Sequence, residues 1–204
     1  MKKIFLPLIT CSALIQAATG CLLVQSDDMN VTWTAYKTFA KVGVKGQFTS
    51  VNYTPIAKEG KNFKALFIGS TVTIDSTHIT TGLNERDNTL VRMFFKKLKS
   101  PTIKAKIVSI KSDAHIRGKP RTGMMDTLIT LNEKTITVPM NFHYEKGHLQ
   151  ATGTIDLFDF AAKAPLATIN KSCYDLHDGK TWNDVTIGFS TTIEATLCNV
   201  QIKK

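Results

Sequence analysis

Nothing in these 204 residues spells out a catalytic centre. There is no Gly-x-Ser-x-Gly elbow to present a serine nucleophile, no His-Glu-x-x-His helix to hold a zinc ion and no Cys-x-x-Cys pair for thiol exchange. The segment Gly118-Lys-Pro-Arg-Thr-Gly123 has the glycine spacing of a phosphate loop. Met124 and Met125, however, stand where that loop needs Lys and Ser or Thr, so it reads as a connection between strands. The histidines are scattered as His78, His115, His143, His148 and His177; His143 and His148 flank one turn, yet two neutral imidazoles without a third ligand make a poor metal site. The acids Asp156, Asp159, Asp175, Asp178 and Asp184 crowd one stretch and read as solvated loop residues rather than a glycosidase pair. Also missing are a Ser-, Gly- or Pro-rich linker, an internal repeat and a low-complexity run, so a chain of this length is expected to form one domain. With 43% hydrophobic and 21% charged residues, wholesale disorder, collagen and a polytopic membrane protein are excluded.

What is present begins with a leader. Lys2 and Lys3 precede an uncharged, mostly apolar run from Ile4 to Ala17 that is too short to span a bilayer comfortably, and Ala18-Thr19-Gly20 offer small residues for cleavage. Residues 1–20 are therefore read as a signal peptide and 21–204 as the mature domain, exported to the periplasm. Cys21 falls where a bacterial lipoprotein carries its lipid, although such signals usually place Leu where Ala18 stands, so an anchored form and a free form both stay open. Cys11 lies in the leader, which leaves Cys21, Cys173 and Cys198. In an oxidising compartment a pair is expected, and Cys173 with Cys198 is the natural choice because both sit deep in the folded region. Such a bond would close a loop of about 25 residues, worth roughly 3 kcal/mol in the chain-entropy treatment. The formal charge is +10, and +8 without Lys2 and Lys3. Lysines spread singly, such as Lys37, Lys41, Lys45, Lys58, Lys61 and Lys64, make a solvated face, which suits solubility or an anionic membrane surface and argues against nucleic acid.

Past residue 28 the dominant signal is alternation of period two with abundant Thr, Val, Ile and Phe, the pattern of half-buried strands. Strands are predicted over 30–37, 42–53, 63–78, 102–117, 123–132, 135–144, 147–157 and 184–200. Turns at Lys58-Glu59-Gly60-Lys61, Leu131-Asn132-Glu133-Lys134 and Tyr144-Glu145-Lys146-Gly147 return them as hairpins. Two segments break the alternation. Between Asn84 and Lys99, Leu90, Met93, Phe94 and Leu98 fall at helical spacing before Ser100-Pro101, and between Asp159 and Lys180 a short helix is expected, opened by Pro165 and closed by Gly179. A mainly β, single antiparallel barrel with one or two short helical inserts follows, since closure removes exposed strand edges. Inward positions such as Val42, Val44, Ile103, Ala105, Ile107, Ala151 and Thr191 are small or β-branched and fill a wide barrel poorly, which leaves a cavity and a packed interior as competing readings.

The chain also resembles the YceI-like periplasmic proteins. The resemblance rests on Val31-Thr-Trp-Thr-Ala-Tyr-Lys-Thr38, Val44-Lys-Gly-Gln-Phe48, Phe94-Phe95 leading to Ser100-Pro-Thr-Ile103, Ile129-Thr-Leu-Asn132 with Thr137-Val-Pro-Met140, and Gly179-Lys-Thr-Trp-Asn-Asp-Val185. It implies a lipocalin-like barrel whose elongated apolar tunnel binds a polyisoprenoid, an isoprenoid quinone or a fatty-acid-like lipid, with no catalytic residues and no cofactor besides bound lipid. On alternation, the lining is expected to comprise Val42, Val44, Leu90, Met93, Phe94, Ile103, Ala105, Ile107, Met140, Phe142, Ile187 and Phe189. The rivals are a thiol enzyme pairing Cys173 with His177, four residues apart on one helix, and a packed structural envelope protein without ligand. A homodimer stays open.

Overall fold

The alternation organises the backbone. The chain, seen in a computed structural model, is described over residues 22–196. Its strands are β1 (Leu22–Gln25), β2 (Asn30–Lys37), β3 (Val42–Phe48), β4 (Val51–Thr54), β5 (Glu59–Gly60), β6 (Thr71–Asp75), β7 (Ile79–Thr80), β8 (Thr102–Ser112), β9 (Arg121–Leu131), β10 (Lys134–Glu145), β11 (His148–Asp156) and β12 (Thr181–Thr196). The helices are α1 (Phe63–Phe67), α2 (Asn84–Met93) and α3 (Lys163–Ser172). The pairings are antiparallel, in the order β4-β6-β8-β9-β10-β11-β12-β2-β3-β7. The two ends of that path belong to the same two stretches of chain. β3 runs into β4 through Thr49-Ser50, β6 runs into β7 through Ser76 to His78, β3 pairs with β7 and β4 pairs with β6. The Thr49 N–H donates to the His78 carbonyl at 2.8 Å and the Asp75 N–H to the Ser50 carbonyl at 3.2 Å, so the ladder carries across both junctions and the sheet closes into a barrel.

The barrel has two dissimilar poles. At the lower pole, β1 lies along the end of β12, with Leu22 opposite Thr196, and also pairs with β5. The buried Gln25 amide donates to the carbonyls of Ala57 and Leu66, while its oxygen accepts from the Tyr53 hydroxyl at 2.7 Å. These bonds hold α1 inside the barrel end. Asn62 caps α1 by accepting from the Ala65 N–H at 3.0 Å, and Phe63, Leu66 and Phe67 form its apolar face at helical spacing. Phe63 packs edge-on against Phe142 at 5.6 Å and Tyr144 at 5.1 Å, while Leu66, Phe67, Leu149 and Ile193 are fully excluded from solvent. The upper pole carries α2 and α3. There the Asn132 side chain, at a hairpin with positive φ at Asn132 and Glu133, accepts from the Lys99 N–H at 2.7 Å and donates to the carbonyls of Phe160 and Ala161.

Several predicted boundaries change. The strand expected over 63–78 begins instead as α1, because Phe63, Leu66 and Phe67 serve one helical face before β6 starts. The strand expected over 42–53 bends at Thr49-Ser50 to change partners, and the one expected over 102–117 ends at Ser112. Gly60 sits in β5 against β1 rather than in a hairpin turn. Pro165 lies in the first turn of α3, where its missing N–H costs nothing, but that helix starts at Lys163; Gly179, with φ of 71°, closes the short 3-10 turn Asp175–His177 instead.

Candidate functional site

The upper half of the barrel is hollow. A cavity of about 870 Å³ opens between the β2–β3 turn, the start of α2 and the segment 173–182. Its wall follows from strand alternation. Val31, Trp33 and Ala35 on β2, Val185 and Ile187 on β12, Ile103 and Ala105 on β8, and Ile129 and Leu131 on β9 all project inward from odd-numbered positions. Ile155 and Leu157 extend the wall, and Leu166 and Ile169 of α3 with Leu90 and Phe94 of the α2 segment roof it. Gly46 stands opposite Trp33 on the neighbouring strand, and any Cβ there would collide with the indole, so this glycine is what lets the ring lie flat against the wall. Phe48, Ile74 and Phe95 complete the lining.

Seven of the predicted lining residues face this space: Val42, Val44, Leu90, Phe94, Ile103, Ala105 and Ile187. Five do not. Met140 and Phe142 are buried at 3% and 2% exposure in the packed lower half. Ile107 stands beside a β-bulge where the β8–β9 register shifts, and its N–H and carbonyl bond Ser70 and Gly69 behind α1. Met93 packs beside the cavity rather than in its wall, because Leu90 and Phe94 occupy the inward face of α2, and Phe189 packs between the two hydrophobic clusters. Phe142 meets Phe63 of α1 and Ile107 bonds the residues that follow that helix, a neighbour in the barrel that alternation does not reveal.

Polar groups gather at the rim. Trp182 donates its indole N–H to the Thr38 carbonyl at 2.8 Å, Lys41 lies over the Tyr36 and Trp182 rings at 5.2 and 5.0 Å, and Lys180 covers Trp182 at 4.5 Å. Lys41 also pairs with Asp184 at 2.7 Å. Three exposed apolar side chains of the lining, Val42, Leu83 and Leu176, border the opening. Cys173 lines the cavity, but the geometry is not that of an activated thiol. The His177 imidazole bonds the Thr181 hydroxyl at 2.7 Å, whose own proton goes to the Asn170 side-chain oxygen at 2.8 Å. Burial pushes the Cys173 thiol up, against a smaller opposing pull from Lys37, so the thiolate is disfavoured. Burial and the nearby Lys37 charge hold the His177 imidazole below its ordinary range. Among the described residues no group of three or more His, Cys, Asp and Glu side chains is placed to hold a metal ion. Of the segment Gly118–Gly123, expected as a connection, Gly118 to Pro120 lie between β8 and β9, while Arg121, Thr122 and Gly123 already open β9. Cys21 and Cys198 lie outside the described residues, and the pairing expected for Cys173 therefore has one partner outside them.

A closed antiparallel barrel with a plugged base and an open apolar cavity is a lipocalin-like architecture. The chain belongs to the YceI-like family, whose domain model matches residues 23–193. Its fold is similar to that of a polyisoprenoid binding domain from Saccharophagus degradans, at 12% identity and a TM-score of 0.55 over 86% of this chain and 98% of that one. It is also similar to BcnA of Burkholderia cenocepacia, at 14% identity and 0.50 over 81% and 96%. The YCEI protein of Campylobacter jejuni matches at 19% identity and 0.51, over 76% of this chain and 86% of that one. A comparison with curated proteins finds no match.

Proposed function

We propose that this chain is an exported, non-enzymatic carrier that sequesters one long-chain apolar lipid, isoprenoid or fatty, inside the barrel. The observation that carries this reading is the cavity of about 870 Å³ with its apolar wall and open mouth. It lies within the roughly 300–1,000 Å³ typical of ligand pockets. A chain burying about 400 Å² of its surface there gains roughly 10 kcal/mol before association costs are subtracted. Apolar walls read length and girth, so a set of related lipids is accommodated. The leader-like segment 1–20 supports a periplasmic location. The polyisoprenoid binding named for the similar Saccharophagus degradans domain agrees with this cargo class. The thiol-enzyme alternative is disfavoured by the raised Cys173 thiol and by the engagement of His177 with Thr181.

Mass spectrometry of the mature protein from its native envelope, intact under gentle conditions and then after organic extraction, tests the proposal. A discrete added mass that extracts as a long-chain lipid is the expected result; a bare polypeptide under the gentlest conditions overturns it.

A further inference from the structure

The charges at the mouth are of two kinds. Lys41 is spent: it pairs with Asp184 and lies over two rings. Lys37 and Arg86 are not. Both are half-buried in the cavity lining, and neither forms an ion pair among the described residues. Lys37 makes one hydrogen bond, to the Leu176 carbonyl at 3.3 Å, which leaves two of its three donor protons available. Its charge is felt by the side chains of Cys173 and His177, so the positive potential extends into the wall. The acids nearby do not cancel it: Asp184 is committed to Lys41, and Glu85, which shares the lining, is exposed, as are Asp175 and Asp178 beside His177. Below this level the strand and helix positions lining the cavity carry apolar side chains, so a bound amphiphile keeps its polar end at the mouth.

We propose that the mouth selects amphiphiles with an anionic head, phosphate or carboxylate, held by Lys37 and Arg86 while the apolar chain descends the cavity. This rests on the lipid-carrier reading and names the class of cargo. Half-buried cations without an acidic partner favour an anion over a hydroxyl or quinone head, and the guanidinium fork suits two oxygens of one head group. Charge-assisted hydrogen bonds to the head add to the apolar attraction that all these ligands share, so a preference of about tenfold or more is expected.

The test is titration of the mature chain with farnesyl phosphate, farnesol and inorganic phosphate, followed through the fluorescence of Trp33 in the wall and Trp182 at the rim. Farnesyl phosphate is expected to bind at least tenfold more tightly than farnesol. That ratio should shrink with added salt, fall to within about twofold in Lys37→Met and Arg86→Met, and return in Lys37→Arg. Equal affinity for the two prenyl ligands overturns the head-group inference and leaves the carrier reading standing. A ratio untouched by salt and by both substitutions also overturns it, as does inorganic phosphate binding as tightly as farnesyl phosphate. If neither prenyl ligand binds, the carrier reading itself fails and takes the inference with it.

Discussion

The two halves of the barrel are built from the same strands and meet opposite ends. In the lower half, Met125 on β9, Phe142 on β10 and Leu149 on β11 close over α1 with almost no exposed surface. In the upper half, Ile129 and Leu131 continue β9 and Ile155 continues β11, yet they border open space. The difference is one helical turn of α1 contributing three large apolar residues, Phe63, Leu66 and Phe67. A barrel of this size does not fill itself with its own inward side chains, and whether a region is core or cavity depends on what else is inserted.

Substitution at the two levels exposes that contrast most directly. Phe67→Ala should cost about 3–5 kcal/mol in urea unfolding, because it empties a closed site. Ile187→Ala, in a wall that lacks partner atoms on one side, should cost below about 2 kcal/mol. Equal costs would mean that the upper half closes on itself in solution. Enlargement should show the reverse asymmetry. Ala105→Phe has room and should leave stability within about 1 kcal/mol while cutting lipid retention tenfold or more, whereas Ala151→Phe, in the closed half, should cost about 1–3 kcal/mol or more through overpacking.

The titration of His177 offers a smaller, pH-resolved measure of the upper pole. Burial, and then Lys37, lowers its pKa in the folded chain, so on acidification the unfolded chain takes up a proton first. Melting temperature should therefore be insensitive to this group above the ordinary value of about 6.5 and fall as pH drops through it toward the folded value. In His177→Gln that part of the pH dependence should disappear. The smallest expected effect is on Cys173. Its raised thiol should alkylate more slowly than a free cysteine at pH 8, and more slowly again with lipid bound. An alkylation rate equal to that of a free cysteine would show that burial does not hold this thiol up.

Strands β9 to β11 were legible in the sequence to within two residues at each end, because each alternates between a buried and an exposed face, whereas β8, whose alternation is less regular, ends five residues before its expected boundary. α1 was not, since five residues cannot establish a helical period and its apolar positions also fit a strand. β1 depends wholly on its partners β5 and β12, which no local pattern reveals. The wall was half legible. The alternation that assigns Val44, Ile103 and Ala105 inward places Val31, Trp33 and Ala35 of β2 in the same wall. The roof of Leu166 and Ile169 follows helical spacing in α3. The extent of the cavity was not legible at all, because which inward positions pack together and which border open space is decided by contacts between distant parts of the chain, such as Phe63 of α1 against Phe142 and Tyr144.

The pairing of β1 with the end of β12 also decides which way the molecule points. Leu22 leaves from the plugged pole, so a lipid on Cys21, one residue earlier, would hold that pole at the bilayer. The mouth would then stand roughly 40 Å out, for strands tilted by about 40°. So tethered, the protein faces the aqueous space and is oriented to exchange cargo with something that arrives there. Without such a lipid neither pole would be fixed, and acylation of a single cysteine would decide which way the mouth faces.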